Sequence, residues 1–487
     1  MKNFNLLLRA ISIFIVCAFI INCSNETLDL NNINTDTDGD SILDINDNCV
    51  NIANLDQFDT DGDGIGDVCD DDDDNDSVLD VNDNCPLVEN QDQADIDNDG
   101  IGDVCDDLIA FTPQFRCENG FADIYPCRDY DLMAHIPIAD LGGPGAAGND
   151  SWGWVDPITQ KEYALVCTST GTAFVDISIP NAPVLIGTLP TATINSPWRD
   201  VKVYQDYAYV VADFAGNHGM QIFDLTRLRD VTTFPETFSA DANYTEFGSA
   251  HNIVINEDSG YAYVVGTSTF SGGPHFVNIQ NPTNPVAAGG YSADDDSHDA
   301  QVVTYNGPDN DYSGREIYIG SNENEVVIVD VTDKNNPVHI SAISYNNLGF
   351  THQGWFTEDL NYFIVGDELD ELNLSVASTR TLFFDFTDLD NPSFQTEYFG
   401  PTSAIDHNVY TKQNQLFMAN YTAGVRILDI TNIESGSINE VGFFDTYPQN
   451  NNTSFNGAWN VYPYFPSGSI IISDIERGLF IIRQSTN

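Results

Sequence analysis

The chain has 487 residues, 41% of them hydrophobic and 11% aromatic, which is enough for two or more globular domains. Abundant Asn, Thr, Tyr and Gly with only 16 Lys and Arg favours strands and turns over helices. A formal net charge of −59 at pH 7 excludes nucleic acids and anionic membrane surfaces as partners and is compatible with cations, basic proteins or neutral glycans.

Residues 1–22 are a predicted signal peptide, in which two basic residues precede an apolar run that ends at Ile21 and is too short to span a membrane. The run ends in Ile-Ile-Asn-Cys, which resembles the lipobox of bacterial lipoproteins. The resemblance implies that Cys23 is acylated and anchors the protein in outer-membrane lipid. Asn22 stands where that motif has a small residue, so cleavage elsewhere, which would give a freely secreted protein, is the alternative. Residues 23–34 are predicted to be a polar tether.

Residues 35–107 contain an aspartate ladder that occurs four times, with Asp at offsets 0, 2, 4, 8 and 11 of each copy. Copies one and three, and copies two and four, are 36 residues apart, and cysteines recur with the same step. The ladder residues are Asp36, Asp38, Asp40, Asp44, Asp47, Asp59, Asp61, Asp63, Asp67, Asp70, Asp72, Asp74, Asp76, Asp80, Asp83, Asp95, Asp97, Asp99, Asp103 and Asp106.

These offsets are typical of calcium ligands. Ca²⁺ takes about six to eight oxygen ligands, and a loop of about 12 residues supplies them from positions 1, 3, 5, 7, 9 and 12. An EF-hand is not expected, because no amphipathic helices flank the loops and position 12 is Asp rather than Glu. Carboxylates also disfavour zinc or copper. A disordered acidic tract is the alternative, but disorder requires neither fixed carboxylate spacing nor recurring cysteines.

The stretch from Asp59 to Asp107 contains DTDGDGIGDVC and DIDNDGIGDVC and resembles thrombospondin type 3 repeats. The resemblance implies loops that wrap Ca²⁺, and disulfides that join Cys49 to Cys69 and Cys85 to Cys105. Paired cysteines indicate an oxidising, extracytoplasmic setting.

Three further cysteines lie C-terminal to these repeats. Cys117 and Cys127 are ten positions apart and are predicted to pair within a connector, residues 108–127. Cys167 is left over in the apolar run YALVC and is predicted to be buried.

Residues 128–487 repeat with a longer period, in which a strand, a Gly-containing turn and a second strand end at an Asp landmark. The landmarks are Asp176, Asp224, Asn278, Asp330, Asp385, Asp429 and Arg483. Each interval holds about four short strands, which predicts an all-β fold with a seven-bladed propeller. The segment 131–141 is expected to supply the outer strand that the last copy lacks and so to close the ring. An open solenoid or two sandwiches are the alternatives.

The sequence VIVD at Val327–Asp330 and its relatives FVD, IFD, FFD and ILD resemble the LVIVD repeat. Together with THQGW at 351–355 and AHN at 250–252, they resemble the choice-of-anchor B family of bacterial surface proteins. The resemblance implies a propeller joined to an anchoring device at the cell surface and implies no particular biochemical activity.

One column of residues recurs at the first strand of the blades. Its pairs are Arg199-Asp200, His251-Asn252, His298-Asp299, His352-Gln353, His407-Asn408 and Trp459-Asn460, with Trp152 or Trp154 as the choice in blade one. First strands lie nearest a propeller axis, so the column is expected to ring one mouth of the channel. Imidazoles are common metal ligands, and convergent polar groups mark binding sites. The other interpretation is structural, with these side chains bonding backbone between blades. Asp294–Asp296 with His298 is a further possible cation site, or simply an acidic loop.

No nucleophile elbow, phosphate-binding loop, dinucleotide fingerprint or zinc-protease motif occurs, so no catalytic residue is predicted. The predicted function is that of a calcium-binding cell-surface protein in adhesion or in recognition of an extracellular protein or glycan. The long loops 213–219, 266–274 and 367–380 are the expected recognition surface. The alternatives are a propeller enzyme or metal-binding protein that uses the histidine column, and a purely structural spacer.

Overall fold

The computed structural model describes residues 35–94, 102, 104–105 and 111–486, and the chain divides into two units, Met1–Asp107 and Leu108–Asn487. The predictions for the signal peptide, Cys23 and the tether lie outside the described residues. So do those for the fourth ladder, Asp95, Asp97, Asp99, Asp103 and Asp106.

The described part of the first unit is built from turns, and none of residues 35–94 lies in a helix or strand. Its two halves make equivalent hydrogen bonds. The N–H of Gly66 donates to the carbonyl of Asn48 at 3.1 Å, and the N–H of Gly102 donates to the carbonyl of Asn84 at 2.9 Å. A Cβ atom on Gly66 would lie 2.5 Å from the Asn48 side chain, so this close approach requires glycine.

Two disulfides staple the first unit. Cys49 bonds to Cys69 and Cys85 bonds to Cys105, each across 20 residues, which are the pairs that the resemblance implied. Apolar side chains such as Phe58, which is 67% exposed, contribute little to a core. The described residues of this unit therefore depend on the disulfides and on their carboxylates rather than on apolar burial.

The second unit is a ring of seven sheets, each with a core of four antiparallel strands, as predicted for a seven-bladed propeller. The segment before the first blade contains β1 (Phe121–Ala122), β2 (Tyr125–Arg128), β3 (Tyr130–Pro137) and the helix α1 (Ile138–Gly142). Blade one contains β4 (Gly148–Val155), β5 (Glu162–Thr168), β6 (Gly171–Asp176) and β7 (Val184–Pro190). Blade two contains β8 (Arg199–Tyr204), β9 (Tyr207–Ala212), β10 (Met220–Asp224) and, after β11 (Glu236–Thr237), β12 (Ala242–Tyr244). β11 leaves blade two and pairs in parallel with β7.

The remaining blades follow in chain order. Blade three contains β13 (Asn252–Asn256), β14 (Tyr261–Val265), β15 (His275–Asn278) and β16 (Val286–Gly290). Blade four contains β17 (Asp299–Thr304), β18 (Glu316–Ser321), β19 (Val326–Asp330) and β20 (Val338–Ile343). Blade five contains β21 (Thr351–Phe356), β22 (Tyr362–Asp367), β23 (Arg380–Asp385) and β24 (Ser393–Phe399). Blade six contains β25 (Val409–Lys412), β26 (Gln415–Ala419), β27 (Val425–Asn432) and β28 (Ser437–Phe444). Blade seven contains β29 (Ala458–Tyr462), β30 (Ile470–Asp474) and β31 (Gly478–Gln484). Short 3-10 helices lie at Leu225–Asp230, Phe270–Gly272, Asn310–Tyr312 and Ile433–Ser435.

The landmark residue at or near the end of the third strand closes a turn in six blades. Its side-chain oxygen accepts a hydrogen bond of 2.9–3.0 Å from the backbone N–H two residues later. The pairs are Asp176 with Ser178, Asp224 with Thr226, Asn278 with Gln280, Asp330 with Thr332, Asp385 with Thr387 and Asp429 with Thr431. The residue between them is apolar, and Val331 and Phe386, for example, are fully buried. The repeated motif is therefore a turn that fixes the fold.

The ring closes through β3, which pairs antiparallel with β31, with Leu132 opposite Ile482. This strand ends at Pro137, and residues 138–142 form α1 instead of extending the predicted strand to residue 141. Proline has no N–H to continue a ladder, and it is tolerated at the start of a helix. Strand pairing therefore removes the open edge of blade seven.

The cysteine-linked segment before β3 belongs to the propeller. β2 pairs with β28 and β1 pairs with β2, so both strands extend the sheet of blade six. Cys117 and Cys127 form a disulfide at the start of this segment. The segment thus joins blade six through β2 and blade seven through β3.

Apolar side chains of adjacent blades fill the space between the sheets. Between blades four and five, Ile317 and Ile319 pack with Phe363, Phe384 and Phe386. Burying a side chain of this size contributes about 1.5–3 kcal/mol. This packing holds the first strands of neighbouring blades against one another around the channel.

Candidate functional site

The first three ladders bring carboxylate oxygens together. The groups Asp36–Asp38–Asp40, Asp59–Asp61–Asp63 and Asp72–Asp74–Asp76 each offer oxygens within 4.8 Å of one another. Hydrogen bonds to the loop backbone orient these side chains, as when Asp36 accepts from the N–H of Gly39 at 2.7 Å. Asp74 and Asp76 are buried.

Ladders one and three share an unusual feature at equivalent positions. Within the described residues, Oδ2 of Asp38 and Oδ2 of Asp74 are buried without a hydrogen-bond partner, and so are Oδ2 of Asp47 and Oδ2 of Asp83. In Asp38, Oδ1 accepts from the N–H of Asp40 at 3.2 Å, so one oxygen holds the turn while the other stays free. Buried, unpaired carboxylate oxygens are unfavourable unless a cation binds them. The residues therefore fit Ca²⁺, which prefers oxygen ligands of this kind.

The ninth position of the ladder has an additional role. In Asp44 and Asp67 both carboxylate oxygens accept hydrogen bonds from threonine near the start of the loop, at 2.7–2.9 Å. The crowding of charge is marked beside Asp73, whose pKa rises to about 6, chiefly through burial and also through the charge of Asp80. A bound divalent cation would relieve this repulsion.

In the propeller, the structure brings the histidine column together at the channel. The rings form a continuous row, with centroids 4.1 Å apart from His251 to His298, 4.4 Å to His352, 4.3 Å to His407 and 4.8 Å on to Trp459. The row covers five adjacent blades, from the third to the seventh. Aromatic rings in such a row exclude water from one another's faces and leave their edges for polar contacts.

The second residues of the column have a structural role. Their hydrogen bonds cross from blade to blade: Asn252 to Asp299 at 2.8 Å, Asp200 from the N–H of Ile253 at 2.8 Å, Gln353 from the N–H of Val409 at 2.8 Å, and Asn408 to Asn460 at 3.1 Å. These bonds satisfy buried polar groups around the ring. These contacts agree with the structural interpretation for this half of the column.

Blade one contributes Asp150 to the channel, and the expectation of Trp152 or Trp154 was wrong. The side chain of Asn460 donates to Asp150, and the ammonium of Lys202 lies 3.2 Å from it. Trp152 and Trp154 instead pack in the hydrophobic clusters beside the channel. The correct match was present in the sequence, since Asn149-Asp150 resembles the His-Asn and His-Asp pairs of other blades, but the bulky tryptophans suggested a later position.

Arg199 does not join the row of rings. Its side chain is 2% exposed, and Nε donates to the carbonyl of Thr168 at 3.1 Å while Nη1 lies 3.0 Å from Nε2 of His218. Asp200 binds Lys202 at 2.6 Å. Arg199, through Thr168, and Lys202, through Asp150, therefore join blade two to blade one.

Burial controls the charge of the row. It lowers the pKa of His352 and of His407 to about 3, and lowers the pKa of His298 well below its ordinary value, with neighbouring histidines adding to the effect. Burial acts in the same direction on His251, but the hydrogen bond that His251 Nδ1 donates to Asp213 at 3.1 Å, together with the charge of Asp213, outweighs it and raises the pKa of His251. Three of the four imidazoles are thus neutral at pH 7.

Glu368, which sequence reasoning missed, reaches two of these histidines. Its Oε2 lies 3.9 Å from Nε2 of His352, and its Oε1 lies 3.7 Å from Nε2 of His407. The hydroxyl of Tyr421 donates to Oε1 at 2.7 Å. Glu368 follows β22 in the loop 367–380, which sequence reasoning assigned only to recognition.

The loop that carries Glu368 is firmly held. Asp367 accepts from the N–H of Gly349 at 2.7 Å and from the N–H of Phe350 at 2.6 Å. The buried guanidinium of Arg380 donates to Asp370 at 2.7 Å. Glu368 is therefore fixed from both sides rather than carried on a mobile loop.

The cavity beside the row is small. It has a volume of about 20 Å³ and is lined by side chains of the column, His298, His352 and His407 among them. A cavity of this size holds about one water or one ion. It does not admit a sugar or an organic cofactor.

Two other predicted features are placed as follows. Asp294 accepts from the hydroxyl of Tyr291 at 2.6 Å and pairs with His339 at 2.8 Å, rather than with His298. In the loop 213–219, Phe214 is 70% exposed and its ring lies 5.3 Å from that of Trp198, which is 36% exposed. These aromatic side chains flank Asp213, the partner of His251.

Comparisons with known proteins agree with the two kinds of repeat. The thrombospondin type 3 repeat model matches residues 29–57 and 58–93, and the LVIVD repeat model matches residues 198–224 and 312–345. Thrombospondin type 3 repeats bind calcium. No curated protein sequence matches the chain.

Several solved structures are similar to the chain at low identity. Hydrazine synthase of Kuenenia stuttgartiensis is 12% identical, covering 67% of this chain and 93% of its own, with a TM-score of 0.47. The Cps50 (Swd1) β-propeller domain of Myceliophteria thermophila is 11% identical, covering 73% and 100%, with a TM-score of 0.47. The periplasmic gluconolactonase PpgL of Pseudomonas aeruginosa is 9% identical, covering 60% and 85%, with a TM-score of 0.42.

Across the described residues, no helix has both the length and the apolar character needed to cross a bilayer.

Proposed function

We propose that this protein is a calcium-binding cell-surface protein whose propeller recognises an extracellular protein or glycan. The calcium part is supported by the unpaired carboxylate oxygens that recur at equivalent positions of ladders one and three. The match to thrombospondin type 3 repeats supports it independently. Three disulfides favour an extracytoplasmic location.

Anchoring is part of the same proposal and rests on the sequence. Acylation of Cys23 would attach the chain to outer-membrane lipid, in the manner of the choice-of-anchor B family. The calcium-bound repeats would then form a stiffened spacer between the anchor and the propeller along the chain. Without Ca²⁺, mutual repulsion of the carboxylates would loosen this spacer.

Recognition is assigned to the side of the propeller that carries the histidine row. Trp198 and Phe214 are exposed there, and aromatic side chains with partly exposed faces are frequent anchors of protein interfaces. The firmly held loop 367–380 lies beside the same row through Glu368. A rigid scaffold that presents such groups is suited to recognition.

The calcium proposal is tested by equilibrium binding to the full chain. Asp38→Asn with Asp74→Asn removes one unpaired oxygen from each of two ladders, and we expect loss of bound Ca²⁺ or at least about tenfold weaker binding at those sites. Asp56→Asn is the matched control, because Asp56 is exposed and lies outside the ladders. Equal Ca²⁺ binding by the double variant and the control would contradict the proposal.

The recognition proposal is tested with the full chain on arrays of glycans and matrix proteins in saturating Ca²⁺. Trp198→Ala with Phe214→Ala should abolish whichever signal the native protein gives. Phe399→Ala, which removes a similarly exposed ring from β24, should leave it unchanged. No array signal for the native protein, or equal loss in both variants, would argue against this surface.

A further inference from the structure

We infer that the propeller holds a divalent transition-metal ion of the zinc class, bound by Nε2 of His352, Nε2 of His407 and the carboxylate of Glu368. This goes beyond the proposed calcium and recognition functions and involves a different kind of ion. The three side chains offer ligand atoms within 4.8 Å of one another.

His407 holds its ring proton on Nδ1, which leaves Nε2 available as a ligand. Its Nδ1 lies 2.6 Å from the backbone carbonyl of Trp459, and a carbonyl only accepts hydrogen bonds. Nδ1 therefore carries the proton, and Nε2 directs a lone pair towards Glu368.

As a result, hydrogen-bond acceptors of Glu368 and His407 face each other. At 3.7 Å from His407 and 3.9 Å from His352, the Glu368 carboxylate is too far from either Nε2 for a hydrogen bond. The lone pair of His407 Nε2 thus faces the carboxylate across a gap in a buried setting, where His352 is 4% exposed and His407 is 2% exposed. Such an arrangement is unfavourable unless a cation or a water fills the gap.

The distances between the ligand atoms are near those of a tetrahedral metal site. Ligands at about 2.0–2.1 Å in tetrahedral geometry are about 3.3 Å apart. The observed 3.7 Å to Oε1 and 3.9 Å to Oε2 of Glu368 exceed this spacing by about 0.4 and 0.6 Å. A shift of this size is within the reach of a glutamate side chain.

Hydrogen bonds support two of the three proposed ligands, Glu368 and His407. Tyr421 donates to Glu368, and the carbonyl of Trp459 accepts from His407. Protein metal sites are commonly backed in this way, by hydrogen bonds that set the tautomer and orientation of each ligand. Both supports come from residues that are not themselves ligands.

The donor set selects the ion. Two imidazoles and one carboxylate suit Zn²⁺ or a similar transition metal, with one coordination position left open. Ca²⁺ prefers oxygen ligands alone and belongs to the aspartate ladders. The small cavity beside the row has space for one water at the open position.

The test uses the full chain in saturating Ca²⁺, so that the ladders are filled, and titrates Co²⁺ as a coloured substitute for Zn²⁺. We expect one equivalent of Co²⁺ with visible absorption, displaced by one equivalent of Zn²⁺. His352→Gln, His407→Gln and Glu368→Gln should each abolish the spectrum. Tyr421→Phe, which removes only a supporting hydrogen bond, should weaken binding by about 10–100-fold.

Two control variants distinguish the proposed ligands from histidines that are not ligands. His298→Gln changes a ring that lies 4.4 Å from His352 but is not one of the ligands, and His339→Gln changes an exposed histidine elsewhere. Both should keep the spectrum, and each variant's fold is checked by circular dichroism in metal-free buffer. Glu368→Gln, which still accepts from Tyr421, serves if a histidine variant does not fold. Absence of Co²⁺ binding in the native chain, retention in the ligand variants, or equal loss in His298→Gln would overturn the assignment.

Discussion

Basic side chains are scarce in this protein, with 16 Lys and Arg against 75 Asp and Glu, and several of them neutralise buried carboxylates. Arg229 makes two hydrogen bonds with Asp156, at 2.5 and 2.6 Å, and so links blade two to blade one. Burial acts to raise the pKa of Asp156, but the bonds from Arg229 and from neighbouring residues outweigh it and lower this pKa well below its ordinary value. The pair therefore contributes stability only while Asp156 is ionised.

Replacing Arg229 with Ala leaves the fully buried carboxylate of Asp156 without its counter-charge, and we expect a loss of about 2–3 kcal/mol in the free energy of unfolding at pH 7. Because the folded pKa of Asp156 is depressed, the difference between native and variant protein should persist above about pH 4 and shrink as the pH falls further. Urea unfolding at a series of pH values measures it. Arg227→Ala, which breaks a more exposed pair with Asp241, should change stability by no more than about 1 kcal/mol. Equal losses in the two variants, or a difference that grows in acid, would refute this account.

The candidate channel residues could be predicted only in part from the sequence. The four histidines of the row share a position at the first strands, so their regular spacing indicated a common location. Glu368 has no such regularity, because it comes from the loop after the second strand of blade five and meets His407 across a blade boundary. Contacts of that kind depend on the closed ring and not on spacing along the chain.

Among the elements, the blades were predictable because each third strand leads into the same turn. Asp330 and its equivalents bond the N–H two residues later, a local interaction that leaves a repeated sequence pattern. The additional strands leave no such pattern. β1 has two residues, and β11 pairs with a strand of the preceding blade, so neither could be inferred from repetition.

The closing strand pair gives a prediction at this scale. Ile481 in β31 is fully buried, and replacing it with Ala should cost about 2–4 kcal/mol in the free energy of unfolding, because the cavity would open in the closing sheet. Val338→Ala in β20 is the control, since Val338 is 58% exposed, and its effect should stay within about 0.5 kcal/mol. Chemical denaturation in saturating Ca²⁺ compares them. A small effect of Ile481→Ala would mean that the closing sheet contributes little to global stability.

For the molecule as a whole, the two units are stabilised in different ways. The propeller buries apolar side chains between its sheets, whereas the described repeats expose theirs and rely on disulfides and carboxylates. Calcium should therefore control the stability of the repeats far more than that of the sheets.

Limited chymotrypsin digestion of the full chain tests this difference. Removing Ca²⁺ with EGTA should speed cleavage after Phe58, which is 67% exposed. If the free Ca²⁺ concentration was ten times the Kd, we expect the rate to rise by about tenfold for each calcium site that is coupled to this cleavage. Phe399, which is 49% exposed but lies in β24, should resist cleavage in both conditions. Mass spectrometry identifies the fragments. Cleavage after Phe58 that is indifferent to Ca²⁺, or equal acceleration at Phe399, would refute a calcium-stabilised repeat unit.

The pairing of β3 with β31 has a consequence for biogenesis. Ser485 and Asp131, which are 354 positions apart, are hydrogen-bonded beside this seam. In a polypeptide exported N-terminus first, β3 would emerge early and β31 late. The backbone hydrogen-bonding groups of β3 would therefore stay unpaired until several hundred more residues had been exported. Chains truncated before residue 478 could not form this strand pair. The edge of β3 would then stay unpaired and accessible to chaperones, proteases and other copies of the chain.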